Sequence, residues 1–359
     1  MRRLVRRQDD YLTKRKFENI DINDPFFDSL KRDYSEFEDW FNRKRNAEAY
    51  LYYEGNQVEG FLYIKMEDGP VADISPNLEC ERALKIGTFK INPHGTKLGE
   101  RFIKKALDFA IVNNAEFCYV TIFNKQQTLP LIVLMKRYGF YEYGTKDTPN
   151  GIELVLVKDL KVLTNDILID YPLIKKQDTN KYLLAIYPQY HSIMFPDSIL
   201  NTEDVDILED ISFTNSIHKI YVTTMPVNKT SRGDVLIMYR TATPGKKAEY
   251  TSVATSVCVV EEVRSQSEFE DFESFYSYAS TYSVFDKDDL RYWYNKGGCY
   301  SIKMTYNAAL SRRLIRKKLI EEIGIDRQRK LRWSFFRLTD DQFNQILEEG
   351  GVSESIIID

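Results

Sequence analysis

Cysteine and histidine are scarce in this chain. The four cysteines, Cys80, Cys118, Cys258 and Cys299, stand far apart in 359 residues, with no close pair of the kind a zinc site or a disulfide framework uses. His94, His191 and His218 are equally scattered, so no metal is expected and a reducing cytoplasm fits best. Long apolar runs are missing too: stretches such as Leu131 to Met135 fall far short of the roughly 20 residues of a membrane span. The opening Met1–Arg7 is basic, but Gln8, Asp9 and Asp10 follow where an export signal needs its apolar core. A cytoplasmic protein without a membrane partner is expected. Neither charge dominates: 50 Lys and Arg against 54 Asp and Glu leave a net charge of −4. That excludes nonspecific coating of nucleic acid and leaves any polyanion surface to local clusters of base.

What the chain does have is aromatic and aliphatic bulk, with 24 Tyr, 21 Phe and 43% hydrophobic residues, enough apolar surface to offset the entropy of ordering. Its length suits two domains. After a basic arm (residues 1–16), Asp24-Pro25 offers an N-cap with proline at the first helical position, and Ser35-Glu36-Phe37-Glu38 reads as a capping box. Ala47–Glu54 and Gln57–Met66 form a hairpin about Gly55-Asn56. In Leu84–Ile91, Leu84 and Ile86 share one face while Phe89 and Ile91 fall on the other. One extra residue near Gly87-Thr88 reconciles them, and such a bulge bends the strand from its neighbour and opens a cleft.

That strand runs through Asn92, Pro93, His94, Gly95, Thr96, Lys97, Leu98 and Gly99 into a helix whose Phe102, Ile103, Ala106, Leu107 and Ala110 share a face. A glycine-bearing loop before a helix aims unpaired N–H groups and the positive end of a dipole at one point, which suits a pyrophosphate, or it merely turns the chain. A strand (117–123), a helix (128–137), a strand (138–144) and a last strand (152–157) follow.

This order, with Gly139-Phe140 after a helix, resembles the GNAT acetyltransferase fold over residues 17–160, an α/β (α+β) mixed sheet flanked by helices. The resemblance implies acetyl-CoA as co-substrate and no metal. It places the coenzyme on the bulged strand and loop: Phe89, Ile91, Asn92, His94, Gly95, Thr96, Lys97, Leu98 and Gly99, with Asn124 after the next strand. His94 and Lys97 depart from the family's Arg/Gln-x-x-Gly-x-Gly/Ala loop, and Met135 stands where a catalytic tyrosine is common. Tyr138, Tyr141 and Tyr143 are the nearby substitutes as general acid, each also readable as core; Glu81 is a candidate base or a solvated surface glutamate.

Residues 161–216 read as a bridging segment, in which His191 suits a core or interface position. From Lys219 onward, strands rich in Val, Ile, Thr and Tyr alternate with turns, and Thr339-Asp340-Asp341-Gln342 is a capping box for a helix ending at Gly350. The Gly233-Asp234 entry to a strand ending Tyr239-Arg240, and the closing helix, resemble the PUA-like superfamily in its ASCH or EVE branches. The implied domain is a small β-barrel with helices at 217–359 that grips RNA. Charge supports it independently. Between Arg312 and Arg332 nine bases (Arg312, Arg313, Arg316, Lys317, Lys318, Arg327, Arg329, Lys330, Arg332) face three acids, with Trp333 alongside. Arg240, Arg312, Arg316, Lys317, Arg332 and Trp333 are the expected nucleic-acid contacts; the alternative is a solvated helix face with core aromatics. Three functions follow: an N-acetyltransferase receiving an RNA of the tRNA kind, one acting on a protein or small-molecule amine with the second domain as adaptor, and a binding module that only senses coenzyme.

Overall fold

The computed structural model describes residues 10–92, 97–195, 216–328 and 330–359. Its chain divides between Lys161 and Val162 into two compact units.

The first unit contains β1 (Asp10–Lys16), α1 (Asp28–Asp33), α2 (Phe37–Arg43), β2 (Glu48–Glu54), β3 (Gln57–Asp68), β4 (Arg82–Ile91), α3 (Leu98–Val112), β5 (Phe117–Ile122), α4 (Leu129–Arg137), β6 (Tyr141–Thr148) and β7 (Gly151–Asp159). Its seven strands lie in the order β1-β2-β3-β4-β5-β7-β6. Only β4 and β5 run parallel, joined through α3. The end of the expected basic arm is therefore an edge strand, with Lys14 salt-bridged to Glu48 at 2.6 Å across the β1–β2 pair; Arg2, Arg3, Arg6 and Arg7 lie outside the described residues.

One sheet face is buried under α3, whose Phe102, Ile103, Ala106, Leu107 and Ala110 are all fully covered. The other carries α1 and α2 on a core of Phe17, Phe26, Phe27, Phe37, Phe41, Leu51 and Phe61. Asp24 caps the entry to α1, accepting from Phe26 N at 2.9 Å. The capping box expected at Ser35 does not form: α2 starts behind Glu36. Asn150, from the β6–β7 turn, accepts from the Ser35 hydroxyl at 3.2 Å and donates to the Glu36 carboxylate at 2.8 Å, so a distant residue takes the capping groups. The strand expected from Tyr138 begins at Tyr141, because Tyr138 closes α4 and Gly139 turns at φ +84°.

The second unit contains α5 (Ile167–Asp170), β8 (Ile174–Lys175), β9 (Lys181–Ile186), α6 (Pro188–Met194), β10 (His218–Thr223), β11 (Val235–Arg240), α7 (Ala248–Thr251), β12 (Val253–Ser265), α8 (Phe272–Ala279), α9 (Lys287–Lys296), β13 (Tyr300–Ile315), α10 (Arg316–Glu321), β14 (Phe335–Leu338), α11 (Asp340–Gly350) and β15 (Ile357–Ile358). Six strands form one mixed sheet in the order β10-β13-β12-β11-β9-β14. Segment 161–216 is thus no mere bridge: it supplies β9, parallel to β11 inside this sheet. The sheet is open. Its end strands, β10 and four-residue β14, each pair on one side only, so no closed barrel forms among the described residues. The Thr339 capping box does form, its hydroxyl accepting from Gln342 N and the Gln342 side chain accepting from Thr339 N.

Candidate functional site

β3 and β4 pair along their length, but Tyr63 opposes Thr88 while Ile64 opposes Ile86. Gly87 is the extra residue of a bulge, and a Cβ there would stand 2.7 Å from the Tyr63 ring. On its other side β4 pairs with β5 only from Ala83↔Phe117 to Ile86↔Val120. Past the bulge the two strands separate, and alternate backbone groups of residues 87–91 face the gap without a strand partner among the described residues. The bulge also restores side-chain phase, since Phe89 packs on Phe102 of α3 with ring centres 5.6 Å apart, while Lys90 points the opposite way.

α1 crosses this gap. The Lys90 ammonium donates to the Ser29 hydroxyl at 2.6 Å and to the Phe26 carbonyl. Beyond β5, Lys125 salt-bridges Asp33 at 3.1 Å, and Tyr34 packs on Phe123 with ring centres 5.1 Å apart. The Tyr34 hydroxyl donates to Glu153 Oε1 at 2.6 Å. Glu153, on β7, is only 4% exposed. Burial, then the hydrogen bond to this carboxylate, pushes the Tyr34 phenol far above its ordinary range, so it stays protonated. Lys90 is lowered from the ordinary lysine value by burial.

On the far side of the gap α3 starts at Leu98 with Lys97 as an N-cap that makes no side-chain cap bond. Its first helical hydrogen bond runs from Arg101 N to Lys97 O at 3.1 Å, so the N–H groups of Leu98, Gly99 and Glu100 precede the helix's own ladder. Gly99 sits against α4: a Cβ there would meet Leu134 at 2.4 Å. This chemistry fits a coenzyme with a diphosphate and an extended amide arm. Phe89, Ile91, Lys97, Leu98 and Gly99 come together here, and exposed Asn124 follows the end of β5. Asn92 is committed elsewhere, since its N–H and side-chain amide both donate to Glu59, at 2.9 and 2.7 Å. Pro93, His94, Gly95 and Thr96 lie outside the described residues.

The candidate acid–base residues are not gathered at the gap. Tyr138 is fully buried at the end of α4. Tyr141 is 45% exposed and, through Val157 and Tyr119, lies level with Lys85, before the strands part; burial raises its phenol. The Tyr143 hydroxyl donates to the Asn77 carbonyl at 2.6 Å. Glu81 is exposed just ahead of β4, at the end away from the bulge. A buried pair beyond β5, Tyr34 and Glu153, carries no local sequence signal, because 119 positions separate its members.

In the second unit Arg240, Val253 and Ile315 are cross-strand neighbours, and Arg316 follows with its guanidinium 4.6 Å from the centre of the Trp333 ring. Trp333 is only 8% exposed: Tyr239 and Phe336 flank it, and its indole N–H donates to Asp326 at 3.2 Å. It anchors Arg316 as part of the core. Arg240 is buried, Lys317 is 43% exposed along its side chain, and Arg332 is exposed. Arg312 is elsewhere, donating to the Glu348 carbonyl at 2.8 Å by the end of α11. His191 is fully buried with Nε2 2.7 Å from the Thr255 hydroxyl; burial, then Arg240 and Arg313, lower it to about 3. A separate polar set surrounds Glu261, the extra residue of a bulge on β12. Its carboxylate meets His218 Nδ1 and, at 3.0 Å, the Lys303 ammonium. An open cavity of about 700 Å³ with Arg232, Glu261 and Tyr300 in its lining adjoins it.

No family model and no curated protein match the sequence. Solved structures do. Residues spanning 42% of the chain are similar to 99% of an IAA acetyltransferase from Bacillus cereus (14% identity, TM-score 0.30) and to 97% of Ard1 from Thermoplasma volcanium (12% identity, TM-score 0.31). A further 47% is similar to 94% of an ASCH protein from Zymomonas mobilis (8% identity, TM-score 0.33). The strand order, the one parallel pair and the bulge give the first unit a GNAT-type fold, and the second is similar to ASCH structures. Among the described residues no helix is long and apolar enough to cross a membrane.

Proposed function

We propose that this protein is an acetyl-CoA-dependent N-acetyltransferase of the cytoplasm whose second unit recruits an RNA substrate of the tRNA kind. The observation that carries the acetyltransferase reading is the parting of β4 and β5 at Gly87, with the first turn of α3, Leu98 to Glu100, ahead of the helix's own hydrogen-bond ladder. Amides of Leu98, Gly99 and Glu100 receive the diphosphate, and main-chain groups of residues 87–91 hold the amide arm. Bound there, the coenzyme supplies an activated acyl group. The chain's own contribution is placement of an amine against it, which accounts for much of the acceleration in such transfers.

The RNA reading is supported by the cationic end of the second sheet, where Arg316, Lys317 and Arg332 cluster near Arg240. Exposed Lys317 and Arg332 meet phosphates, while Arg316 is held in place by Trp333.

Isothermal calorimetry of the full chain with acetyl-CoA tests the first reading. Binding is expected for the wild type and loss of binding for Gly99→Trp, because a side chain at Gly99 drives the first turn of α3 away from Leu134. A folded wild type that gives no heat with acetyl-CoA removes the enzyme reading.

A further inference from the structure

The face of the first sheet turned away from α3 is covered in two places. Tyr63 packs under α2 against Trp40, with ring centres 5.7 Å apart. Tyr119, Val155 and Val157 pack under residues 71–78, through Val71, Ile74 and Leu78. Between these covers Lys65 and Lys85 stand side by side across β3 and β4, with Tyr119 next in line on β5. The strip is charged. Lys65 pairs with Glu67, which also accepts from the Tyr119 hydroxyl. Asp73 is shared: Lys146 of β6 meets its Oδ2, and Lys85 lies 3.9 Å from the same oxygen. Three ammonium groups thus stand against two carboxylates in this set. The Lys85 side chain is 15% exposed and that of Lys146 20%, so water and salt screen them weakly. Burial, then the charge of Lys146, lowers Lys85 below the ordinary lysine value, and Glu67 and Asp73 do not restore it. Its contact with Asp73 is too long for a hydrogen bond, which leaves three donors to an incoming oxyanion. The Tyr119 ring, 5.3 Å from the Lys85 nitrogen, supports the ammonium from the side. Lys85 also ends the paired stretch, since Ile86 is the last β4 residue opposite β5 and the gap opens at Gly87. An excess positive charge largely out of water at that place is costly unless something completes it.

We propose that Lys85 and Lys146 form a subsite for an oxyanion carried by the acceptor, close to the nitrogen that is acetylated, so that amines bearing a phosphate or carboxylate are preferred to neutral amines of similar length. The inference rests on the acetyltransferase reading above and names what the acceptor must carry. An anion seated here serves the second ammonium that Asp73 alone does not satisfy. It also holds the acceptor at the start of the gap, where the thioester is expected. Both lysines are specificity-determining residues and take no part in proton transfer.

The test loads the full chain with CoA, which fills the cleft without permitting reaction. Calorimetry then compares O-phosphoethanolamine, β-alanine and ethanolamine. The two anionic amines are expected to bind at least about tenfold tighter than ethanolamine, or 1.4 kcal/mol, and the tighter of them identifies the oxyanion. Lys85→Met is expected to bring the preference within about twofold, while Lys65→Met, whose ammonium is taken by Glu67, retains it. Asp73→Asn removes the competing carboxylate and widens it, a gain that a purely structural role for the cluster does not produce. A folded Lys85→Met that keeps the full preference overturns the inference. So does a wild type that binds ethanolamine as tightly as the anionic amines, or that binds none of the three. In those cases the acetyltransferase reading stands if acetyl-CoA itself binds; a wild type with no affinity for acetyl-CoA removes both.

Discussion

Replacing Glu261 by glutamine removes a carboxylate that meets both His218, which is fully buried, and Lys303 at 3.0 Å. Breaking a buried ion pair from one side costs about 3–5 kcal/mol. The Lys303 side chain is 19% exposed and recovers some hydration, so the low end, about 3 kcal/mol, applies. For a unit of 150–250 residues each kcal/mol moves Tm by about 2–4 °C, which makes the expected drop about 6–12 °C at pH 7. The assay is thermal melting of the full chain followed by fluorescence in a Trp40→Phe background, which leaves Trp293 and Trp333, both in the second unit. Although burial pushes the Glu261 carboxyl up, His218 and Lys303 together hold it below the usual carboxylate range. Its contribution is therefore complete above the unfolded value, about 4.3, and is lost as pH falls through the lower folded one. The gap between wild type and variant should narrow below about pH 4. A difference under 2 °C at pH 7, against the about 6 °C minimum expected, refutes the reasoning.

In the first unit, Gly144→Ala places a Cβ 2.1 Å from the Ser75 carbonyl oxygen, breaking the two backbone hydrogen bonds between Ser75 and Thr145. A loss of about 3 kcal/mol and faster proteolysis within residues 69–81 are expected. His191, lowered to about 3, should show no titration in its ring NMR signals between pH 8 and 5. Because the unfolded chain takes up that proton below about pH 6.5, stability should decline from there toward acid, by up to about 1.4 kcal/mol per pH unit from this group. If RNA binds at the sheet end, neutralising Lys317 or Arg332 lowers the slope of log affinity against log salt by about one each; an unchanged slope removes that surface from consideration.

Much of the site's frame was legible in local sequence. The phase slip between Ile86 and Phe89 located the bulge at Gly87, and the apolar stripe from Phe102 to Ala110 gave the buried face of α3, because both follow from side-chain period along one element. Long-range pairings were not legible. Asn150 displaces the Ser35 cap from a turn 115 positions away, β9 enters the second sheet beside β11 from a stretch with no motif, and Tyr34 reaches Glu153 only after α1 has crossed the gap. Trp333 illustrates a different gap in sequence reading: composition put it beside arginines, but burial decides that it steadies Arg316 from within.

The seven strands of the first unit are stitched across the middle by a ladder only four residues long, Ala83 to Ile86. Beyond it, alternate peptide groups of residues 87–91 face the gap with no strand partner among the described residues, and these belong to the main chain. Side chains along that stretch can diverge without touching those groups, so the coenzyme contacts proposed above would depend on the path of the strand more than on the residues it carries.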